Sequence, residues 1–342
     1  MKYRVLGGSG LKVSELCLGT MTFGEDWGFG ASKEESRKQF DVFAAAGGNF
    51  IDTANVYTNG TSERFVGEFV KADRDLFVVA TKYSIATRFD DINAWGNSRK
   101  NLVQSVDASL QRLSMERIDL YWVHVADHIT PADEVMRALD DVVRAGKVLY
   151  VGVSDTPAWQ VARANTLAEL RGWSRFVGLQ IEYSLIERTP ERELIPMAEA
   201  LGLTVTPWGP IGGGVLSGKY CGDPESADSK RVAGNKRRLS ERNLKIAEEV
   251  VTVARELGHS PTQVAIAWAM GQGAGGTIPI VGARTAAQLE DSLGACDLVL
   301  TPEILARLDA VSGVDLGFPH EFLARPSMAR TLRGDLGDKL IL

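Results

Sequence analysis

Short apolar runs alternate with helix-like segments along most of this chain of 342 residues. Most of the runs are continuously apolar, which is typical of strands buried on both faces. The runs span residues 16–19, 49–52, 77–81, 118–124, 148–154, 176–181, 203–208 and 277–282. The clearer helical segments span residues 33–46, 98–113, 132–145, 190–201 and 285–294. This repeated strand–helix alternation predicts an α/β chain folded as a (β/α)8 TIM barrel.

Further segments complete this layout. Residues 2–14 combine two short strands with the turn GGSG, which predicts an N-terminal β-hairpin. The stretch 209–240 is much longer than a usual connection of about 2–6 residues, so we expect a functional loop at the C-terminal face. A helix-like pair, 241–257 and 261–271, precedes the last strand. Because no linker interrupts the pattern, residues 1–342 are expected to form one barrel domain.

Local signals mark where several helices begin and end. Ser32 followed by Glu35 resembles a capping box, in which each side chain binds the backbone N–H of the other residue. Glycines beyond three helical segments predict helix ends, because glycine accepts the left-handed conformation that is common there. These glycines are Gly47, Gly146 and Gly202.

Composition narrows the classes of protein that the chain can represent. It is 44% hydrophobic and 24% charged, as ordinary soluble proteins are. A net charge of -6 and the lack of a long basic run argue against nucleic acid as a partner. Three widely spaced cysteines argue against disulfides and zinc and fit a reducing cytoplasm. With no signal-peptide core and no apolar run near the ~18 residues that span a bilayer, we expect a cytoplasmic protein without a membrane partner.

Chemically capable side chains follow three successive apolar runs. Asp52, Lys82 and His124 stand at or near the ends of the runs NFID, FVVATK and IDLYWVH, and Tyr57 follows Asp52 closely. In a TIM barrel, side chains at the C-terminal ends of strands face the active site. Each of these residues alone could be structural, but together they predict one catalytic group.

The ionisation chemistry of this group indicates proton transfer to a carbonyl oxygen. A free tyrosine has a pKa of ~10 and burial raises it, so a nearby cation is needed to stabilise the phenolate. Lys82 can be that cation, and Asp52 can hold Lys82 charged and oriented. His124 can bind the substrate oxygen while Tyr57 protonates it as hydride reaches the carbonyl carbon.

The chain resembles an aldo-keto reductase over nearly its whole length, particularly the bacterial members and the branch that includes potassium-channel beta subunits. The segments that carry the resemblance are FIDTANVY…NGTSERFVGE, TKY, WVHVAD, GVS, LQIEYSL, TPWGPIGGGVLSGKY and IPIVGARTAAQLEDSL. They occur in the family's order and approximate spacing. The resemblance implies a nicotinamide cofactor, usually NADPH with NADH possible, extended across the barrel mouth without a Rossmann domain. It implies no metal.

The resemblance also assigns cofactor contacts by position. At the nicotinamide end it places Gly19, Thr20, Met21, Asp52, Ser154, Asp155, Gln180, Trp208, Gly209 and Pro210. At the pyrophosphate it places Lys219 and the amides near Leu216 and Ser217, and Arg231 is a further cofactor contact and an alternative to Arg284 for the phosphate. At the adenosine end it places Gly282, Arg284, Gln288, Asp291 and Ser292. Arg284 is the best candidate for a 2′-phosphate, because a guanidinium offers forked donors to phosphate.

Two positions depart from the family pattern. Asp155 stands where the family often has asparagine, and an ionised acid cannot donate a hydrogen bond to a carboxamide oxygen. Ser292 stands where an asparagine usually lies near the adenine. Both departures are expected to weaken or reshape cofactor binding without touching the proton-transfer residues.

Aromatic residues just beyond the strand ends are candidates for an apolar substrate pocket. They are Phe23, Trp27, Tyr83, Phe89 and Trp95, and the segment 83–97 is the strongest candidate. These rings could equally pack the loops against each other. The sequence does not name the carbonyl, so sugars, aromatic aldehydes, quinones and polycyclic ketones stay open. It also leaves open whether the chain is a monomer or a homo-oligomer.

Three functions compete at this point. The first is NADPH-dependent, reversible reduction of an aldehyde or ketone. The second is a nicotinamide-sensing regulatory subunit with little turnover, which could tolerate losing the four catalytic candidates. The third is a metal-dependent hydrolase using His124, Asp127 and His128, although the first strand lacks an HxH pair. The GxGxxG sequence at 271–276 follows a helix and precedes a strand, so it is expected to be a turn rather than a dinucleotide loop.

Overall fold

Eight parallel strands follow an N-terminal hairpin in this computed structural model, which describes residues 1–221 and 236–339. The hairpin pairs β1 (Tyr3–Val5) with β2 (Lys12–Ser14) in antiparallel fashion. The parallel strands are β3 (Cys17–Gly19), β4 (Phe50–Asp52), β5 (Val78–Tyr83), β6 (Ile118–Val123), β7 (Val148–Ser154), β8 (Phe176–Glu182), β9 (Thr204–Trp208) and β10 (Ile280–Val281). Every predicted run therefore overlaps one of these strands, in the predicted order, and β5 and β8 extend one or two residues beyond their runs.

The eight strands curve into a barrel. Their order is β10-β3-β4-β5-β6-β7-β8-β9, so neighbours in sequence are neighbours in the sheet. The backbone N–H of Ile278, just before β10, donates to the carbonyl oxygen of Val205 in β9 at 3.0 Å. This bond joins the two ends of the sheet, and the predicted (β/α)8 barrel is confirmed.

Helices lie between the strands and beyond the last one. None of those within the described residues is long and apolar enough to cross a membrane. The pattern did not single out Ala158–Arg171, because the apolar residues of this helix are not concentrated on one face. The helices are Lys33–Ala45, Thr61–Val70, Arg99–Leu113, Ala132–Arg144, Ala158–Arg171, Leu194–Ala200, Glu241–Leu257, Pro261–Met270, Ala286–Leu293, Pro302–Ser312, His320–Leu323 and Pro326–Arg333.

Two apolar clusters divide the core. The larger one fills the space between the strands and the surrounding helices. The smaller one fills the barrel interior, where the hairpin residues Leu6 and Val13 pack with Phe50, Val78 and Trp122. Because Phe50 and Val78 are the first residues of their strands, the hairpin covers the N-terminal end of the barrel. The C-terminal end is left for polar side chains.

Two glycines make room for the largest side chain inside the barrel. Trp122 is fully buried, and a Cβ built at Gly152 would lie 2.3 Å from its ring. A Cβ at Gly178 would lie 2.8 Å from the same ring. Because real Cβ atoms do not approach this closely, the small residues on β7 and β8 are what allows a tryptophan on β6.

The predicted capping box is only half correct. The Ser32 hydroxyl accepts a hydrogen bond from the Glu35 backbone N–H at 3.3 Å, as expected. The Glu35 carboxylate instead accepts from the Ala286 backbone N–H at 2.6 Å, at the start of another helix. The three predicted glycine stops are confirmed, with left-handed φ values of 86° at Gly47, 73° at Gly146 and 64° at Gly202.

The GxGxxG sequence lies between helix Pro261–Met270 and β10, as predicted. Its Gly275 carbonyl oxygen accepts from the Arg4 guanidinium, next to the N-terminal hairpin. A cavity of about 470 Å³ is lined by residues of this turn and of the hairpin. The turn therefore belongs to the end of the barrel opposite the polar strand ends.

Candidate active site

Lys82 is the centre of a buried polar group at the C-terminal strand ends. It lies one residue before the end of β5, on the same face of the strand as the interior residues Val78 and Ala80. Its fully buried ammonium forms an ion pair with Asp52, the last residue of β4. It also donates to the Thr53 carbonyl oxygen at 2.8 Å.

Tyr57 reaches the same ammonium from the loop after β4. The Lys82 Nζ atom lies 3.1 Å from the Tyr57 hydroxyl oxygen and 4.7 Å from the centre of its ring. After Tyr57 the backbone turns through left-handed conformations at Thr58 and Asn59, with φ values of 44° and 54°. The Thr58 hydroxyl donates to the Phe23 carbonyl oxygen at 2.6 Å and helps to hold this costly turn.

His124 completes the arrangement directly after β6. Its ring centre lies 5.9 Å from that of Tyr57, at an interplanar angle of 80°. The structure therefore brings together the four residues that the strand ends predicted as one group. A carbonyl oxygen placed between the Tyr57 hydroxyl and the His124 ring could bind both.

Burial and charge set the protonation of the ion pair. Burial disfavours the charge of Lys82, but Asp52 and Tyr57 outweigh it, so the pKa of Lys82 lies above its ordinary value. Burial raises the pKa of Asp52, and the Lys82 charge opposes that rise. Lys82 is therefore a permanent cation at neutral pH, which is the state needed to stabilise a phenolate.

The two groups nearest the open end are neutral. Burial raises the pKa of Tyr57, and Lys82 reduces that rise without cancelling it. Burial and the Lys82 charge hold the pKa of His124 well below its usual range. Tyr57 is thus a protonated acid, and His124 is an uncharged imidazole.

Hydroxyl groups support Asp52 from behind, a role that the sequence did not indicate, although Thr20 was predicted as a nicotinamide contact. The Thr20 hydroxyl donates to the Asp52 carbonyl oxygen at 2.9 Å and lies 2.8 Å from the Ser62 hydroxyl. Thr53 lies 2.8 Å from the same Ser62 oxygen. Small hydroxyl residues directly after β3 and β4 are the signal that could have indicated this support.

Ser84 is a second supporting residue that sequence reasoning missed. Its backbone is strained, with a φ of 107°, and its hydroxyl accepts from the His124 backbone N–H at 3.2 Å. Ser84 thereby ties the end of β5 to the residue that carries the imidazole.

The predicted nicotinamide contacts from β7, β8 and β9 lie beside the catalytic candidates. Gln180 donates to the free oxygen of the Asp52 carboxylate at 3.1 Å. The Trp208 indole N–H donates to the Asp155 carboxylate at 3.1 Å. The Ser154 hydroxyl is buried and finds no hydrogen-bond partner within the described part of the chain. A buried orphan hydroxyl is costly, and a carboxamide bound at this point would satisfy it.

The predicted cofactor contacts near β3 and after β9 differ in how far their side chains are exposed. Thr20 is fully buried, whereas Met21 is 47% exposed. Gly19 and Gly282 lie back to back, since a Cβ at Gly282 would be 3.3 Å from the Gly19 carbonyl oxygen. The turn after Trp208 begins with Gly209, which has a φ of 66°, and the buried Pro210.

The predicted pyrophosphate contacts are only partly available. The Leu216 amide already donates to the Ile211 carbonyl oxygen at 3.2 Å. The Ser217 hydroxyl donates to the Gly214 carbonyl oxygen at 2.8 Å. Lys219 is exposed, with its ammonium 4.8 Å from the centre of the Tyr220 ring. Arg231, a further predicted cofactor contact, lies outside the described residues.

At the predicted adenosine end, Asp291 and Ser292 already form hydrogen bonds within the protein. Asp291 accepts from Ser260 at 2.9 Å and from Gln263 at 3.1 Å. The buried Ser292 donates to the Gln288 carbonyl oxygen at 2.9 Å.

Arg284 is held at its backbone and leaves its head group available. The Gln288 side-chain oxygen accepts from the Arg284 backbone N–H at 3.0 Å. The Arg284 guanidinium is partly exposed and has no partner among residues 1–221 and 236–339. It is therefore the cation at this end that is placed to bind an anion.

The predicted substrate pocket needs correction at two positions. Tyr83 is fully buried and stacks on Tyr121, with ring centres 5.3 Å apart. Because side chains alternate along a strand, Lys82 pointing inward forces Tyr83 outward to the helices. Phe23 is likewise fully buried and packs against Phe69. Neither residue lines the barrel mouth.

The other predicted pocket residues remain accessible. Trp27 is partly exposed and its ring lies 6.4 Å from that of Tyr57, at 81°. Phe29 extends this aromatic wall at 5.8 Å from Trp27. Phe89 and Trp95 are 98% and 38% exposed. Trp27 is thus the aromatic ring beside the candidate proton donor.

The residues proposed for a metal-dependent hydrolase do not converge. The Asp127 carboxylate accepts from the Asn97 backbone N–H at 2.7 Å and from the Thr130 hydroxyl at 2.6 Å. His128 pairs with Gln160 at 3.4 Å. Among the described residues, no group of three or more histidine, cysteine or acidic side chains could hold a metal ion.

The barrel and its buried polar group define a class of nicotinamide-dependent oxidoreductase, and comparison with known proteins gives the family. The model of the Aldo/keto reductase family matches residues 15–312. The chain is similar to an aryl-alcohol dehydrogenase [NADP(+)] of Phanerodontia chrysosporium, with 40% identity over 92% of this chain and 86% of the relative. It is also similar to norsolorinic acid reductase of Aspergillus flavus, with 38% identity over 94% and 84%.

A third relative is norsolorinic acid reductase B of Dothistroma septosporum, with 37% identity over 95% of this chain and 85% of that protein. The chain belongs to the Aldo/keto reductase family. It is therefore an NAD(P)H-dependent oxidoreductase, and the family predicted from its motifs is confirmed.

Proposed function

We propose that this protein catalyses the reversible, NADPH-dependent reduction of an aldehyde or ketone to the alcohol, with Tyr57 as the proton donor. The observation that carries the proposal is the Lys82 ammonium, which is paired with Asp52 and lies 3.1 Å from the Tyr57 hydroxyl. A protonated phenol beside a permanent buried cation is suited to give up a proton to developing negative charge.

Each of the four side chains has a distinct role. Tyr57 and the neutral His124 bind the carbonyl oxygen and orient the carbonyl carbon. A nicotinamide held at this mouth would supply the hydride for that carbon. As the C=O π bond breaks, Tyr57 transfers its proton to the oxygen, and Lys82 stabilises the phenolate that remains. Asp52 keeps Lys82 in place, and Tyr57 regains a proton from solvent.

The residues around the mouth fit a nicotinamide cofactor. The orphan Ser154 hydroxyl and the Gln180 amide are suited to hold a carboxamide, and Trp208 offers a flat aromatic face. The available Arg284 guanidinium supports a 2′-phosphate and hence NADPH over NADH. The name of one relative includes NADP(+), which supports the same choice.

We further propose that the substrate is an aromatic carbonyl compound. The Trp27 ring stands 6.4 Å from Tyr57, and Phe29 continues from it, so an aromatic substrate could pack beside the proton donor. The relatives' printed names refer to aryl alcohols and norsolorinic acid. A regulatory subunit without turnover would not need this intact catalytic group.

The test is NADPH consumption by the purified protein with benzaldehyde, 2-acetylnaphthalene and hexanal as probes. We expect turnover with one alcohol formed per NADPH consumed, and a higher kcat/KM for the aromatic probes. NADPH binding without turnover of any probe would favour the sensing function. Equal kcat/KM for hexanal and the aromatic probes would overturn only the substrate class.

A further inference from the structure

Asp155 occupies a fixed position at the rim between β7 and β8. Its backbone is left-handed, with a φ of 40°, a conformation that aspartate tolerates better than most residues. Its N–H donates to the Gln180 carbonyl oxygen at 3.2 Å, and its own carbonyl oxygen accepts from Ala126 at 3.4 Å. These two bonds fix the backbone of Asp155 between β8 and the loop after β6.

The Asp155 carboxylate reaches an indole that lies two strands away. Trp208 ends β9, and β8 with Gln180 lies between it and Asp155. The 3.1 Å bond from the indole N–H to Asp155 thus spans the rim above β8. Trp208 also packs against the apolar cluster of the barrel interior. One apolar contact and one polar contact together fix the plane of the ring.

The chemical type of residue 155 selects this partner. An ionised carboxylate only accepts hydrogen bonds, and an indole N–H only donates them. An amide at this position could offer either its oxygen or its NH₂ group to a neighbour, whereas the acid cannot turn a donor towards a carboxamide oxygen. The departure from asparagine therefore favours the contact with Trp208.

We propose that Asp155 is a positioning residue that fixes the Trp208 indole, the wall against which the nicotinamide lies. The inference rests on the proposed function, because Trp208 is assigned to the nicotinamide there. Asp155 acts on cofactor binding through Trp208 and not by its own contact with the carboxamide.

The charge of Asp155 gives a second readout. Although the side chain keeps contact with solvent, the surrounding rim removes part of its hydration, and with the nearby Glu182 this raises the pKa of Asp155. The Trp208 hydrogen bond and the Lys82 charge act in the opposite direction. Asp155 in turn contributes to the raised pKa of Tyr57, after burial and Asp52.

A double-mutant cycle tests the proposal, with NADPH affinity measured by calorimetry on the full chain. Asp155→Gly removes the carboxylate without straining the left-handed backbone, and Trp208→Phe keeps a ring but removes the N–H. We expect each variant to lower the affinity for NADPH about threefold to tenfold, which corresponds to the loss of one hydrogen bond. The double variant should be no weaker than Trp208→Phe alone, because both changes remove the same bond.

Asp155→Asn and Glu182→Gln complete the design. Asparagine can still accept from the indole, so NADPH affinity should stay closer to that of the wild type than in Asp155→Gly. The loss of charge should move the pH profile of alcohol oxidation to lower pH. Glu182→Gln removes a neighbouring carboxylate that pairs with Arg238 and not with Trp208, so it should leave the coupling between Asp155 and Trp208 intact.

Additive losses in the double variant would overturn the proposal, since Asp155 would then contact the cofactor directly. Unchanged NADPH affinity in Asp155→Gly would also overturn it and leave the bond a purely structural feature. Failure of the wild type to bind either NADPH or NADH would instead refute the proposed function. The two failures are therefore distinguishable.

Discussion

The Lys82 ammonium lies 3.1 Å from the Tyr57 hydroxyl oxygen while it is paired with the Asp52 carboxylate. One buried cation therefore stabilises two groups, one that is always ionised and one that is ionised only during the reaction. Asp52 needs a permanent partner, because an unpaired buried charge is costly. Tyr57 needs a cation only when it loses its proton. This sharing explains why the lysine is held charged before any substrate arrives.

Tyr57→Phe is expected to lower kcat about 10²–10⁴-fold, the usual contribution of a general acid. NADPH affinity should change little, because the variant loses only a hydroxyl at the substrate position. Steady-state kinetics and calorimetry on the same preparation measure both quantities. Tyr3→Phe is the matched control, since its hydroxyl bonds to Gly47 far from the mouth. Wild-type kcat in Tyr57→Phe would remove Tyr57 from the proton transfer.

Lys82→Met is expected to destabilise the fold by about 3–5 kcal/mol, because it leaves the Asp52 carboxylate buried without its cation. Adding Asp52→Asn should restore much of that stability, since the double variant buries no charge. Activity should stay low in both variants. Urea unfolding followed by circular dichroism gives the free energies. Equal stability of the single and double variants would show that the pair is not what stabilises this site.

The strand ends could be predicted because parallel strands bring their C-terminal residues to one rim, which places Asp52, Lys82 and His124 together. Tyr83 could have been excluded by the same logic, since a residue next to an inward lysine points outward. The partner of Glu35 could not be predicted, because Ala286 is distant in sequence and only the closed barrel brings helix Lys33–Ala45 to it.

The role of the acid at position 155 also lay beyond the sequence. The substitution itself is visible, and it suggested a weakened cofactor contact. The hydrogen bond from the Trp208 indole to the Asp155 carboxylate becomes apparent only when β7, β8 and β9 lie side by side in the barrel. In contrast, the hydroxyls of Thr20 and Thr53 directly follow strands and could have been marked as support.

Arg284→Ala is expected to lower the affinity for NADPH by at least about tenfold and the affinity for NADH much less. Only NADPH carries the 2′-phosphate that a guanidinium binds. Calorimetric titration of both cofactors gives the ratio of affinities. Arg163→Ala, an exposed arginine on helix Ala158–Arg171, is the control for a general change of surface charge. Equal losses for the two cofactors would move the phosphate contact away from Arg284.

The buried neutral His124 is expected to make stability depend on acid pH. Its pKa in the folded protein is lowered from an ordinary value of about 6.5, so below that pH the unfolded chain binds more protons. Stability should therefore fall as pH drops below about 6.5, by at most about 1.4 kcal/mol per pH unit from this group.

Urea unfolding at a series of pH values from 7 downward measures this slope in the wild type and in His124→Gln. The glutamine variant keeps a polar side chain but cannot take up the proton, so its slope should be shallower. Identical slopes would mean that other groups cause the acid sensitivity.

Gly152→Ala is expected to destabilise the barrel by about 1–3 kcal/mol, the usual cost of overpacking a core. The added methyl would lie 2.3 Å from the ring of Trp122, which is fully buried in the apolar cluster of the barrel interior. Gly275→Ala is the matched control, because a Cβ there meets nothing within 4 Å. Equal unfolding free energies for the two variants would show that Trp122 can shift, and that the barrel interior beside Lys82 is less closely packed than the glycines on β7 and β8 indicate.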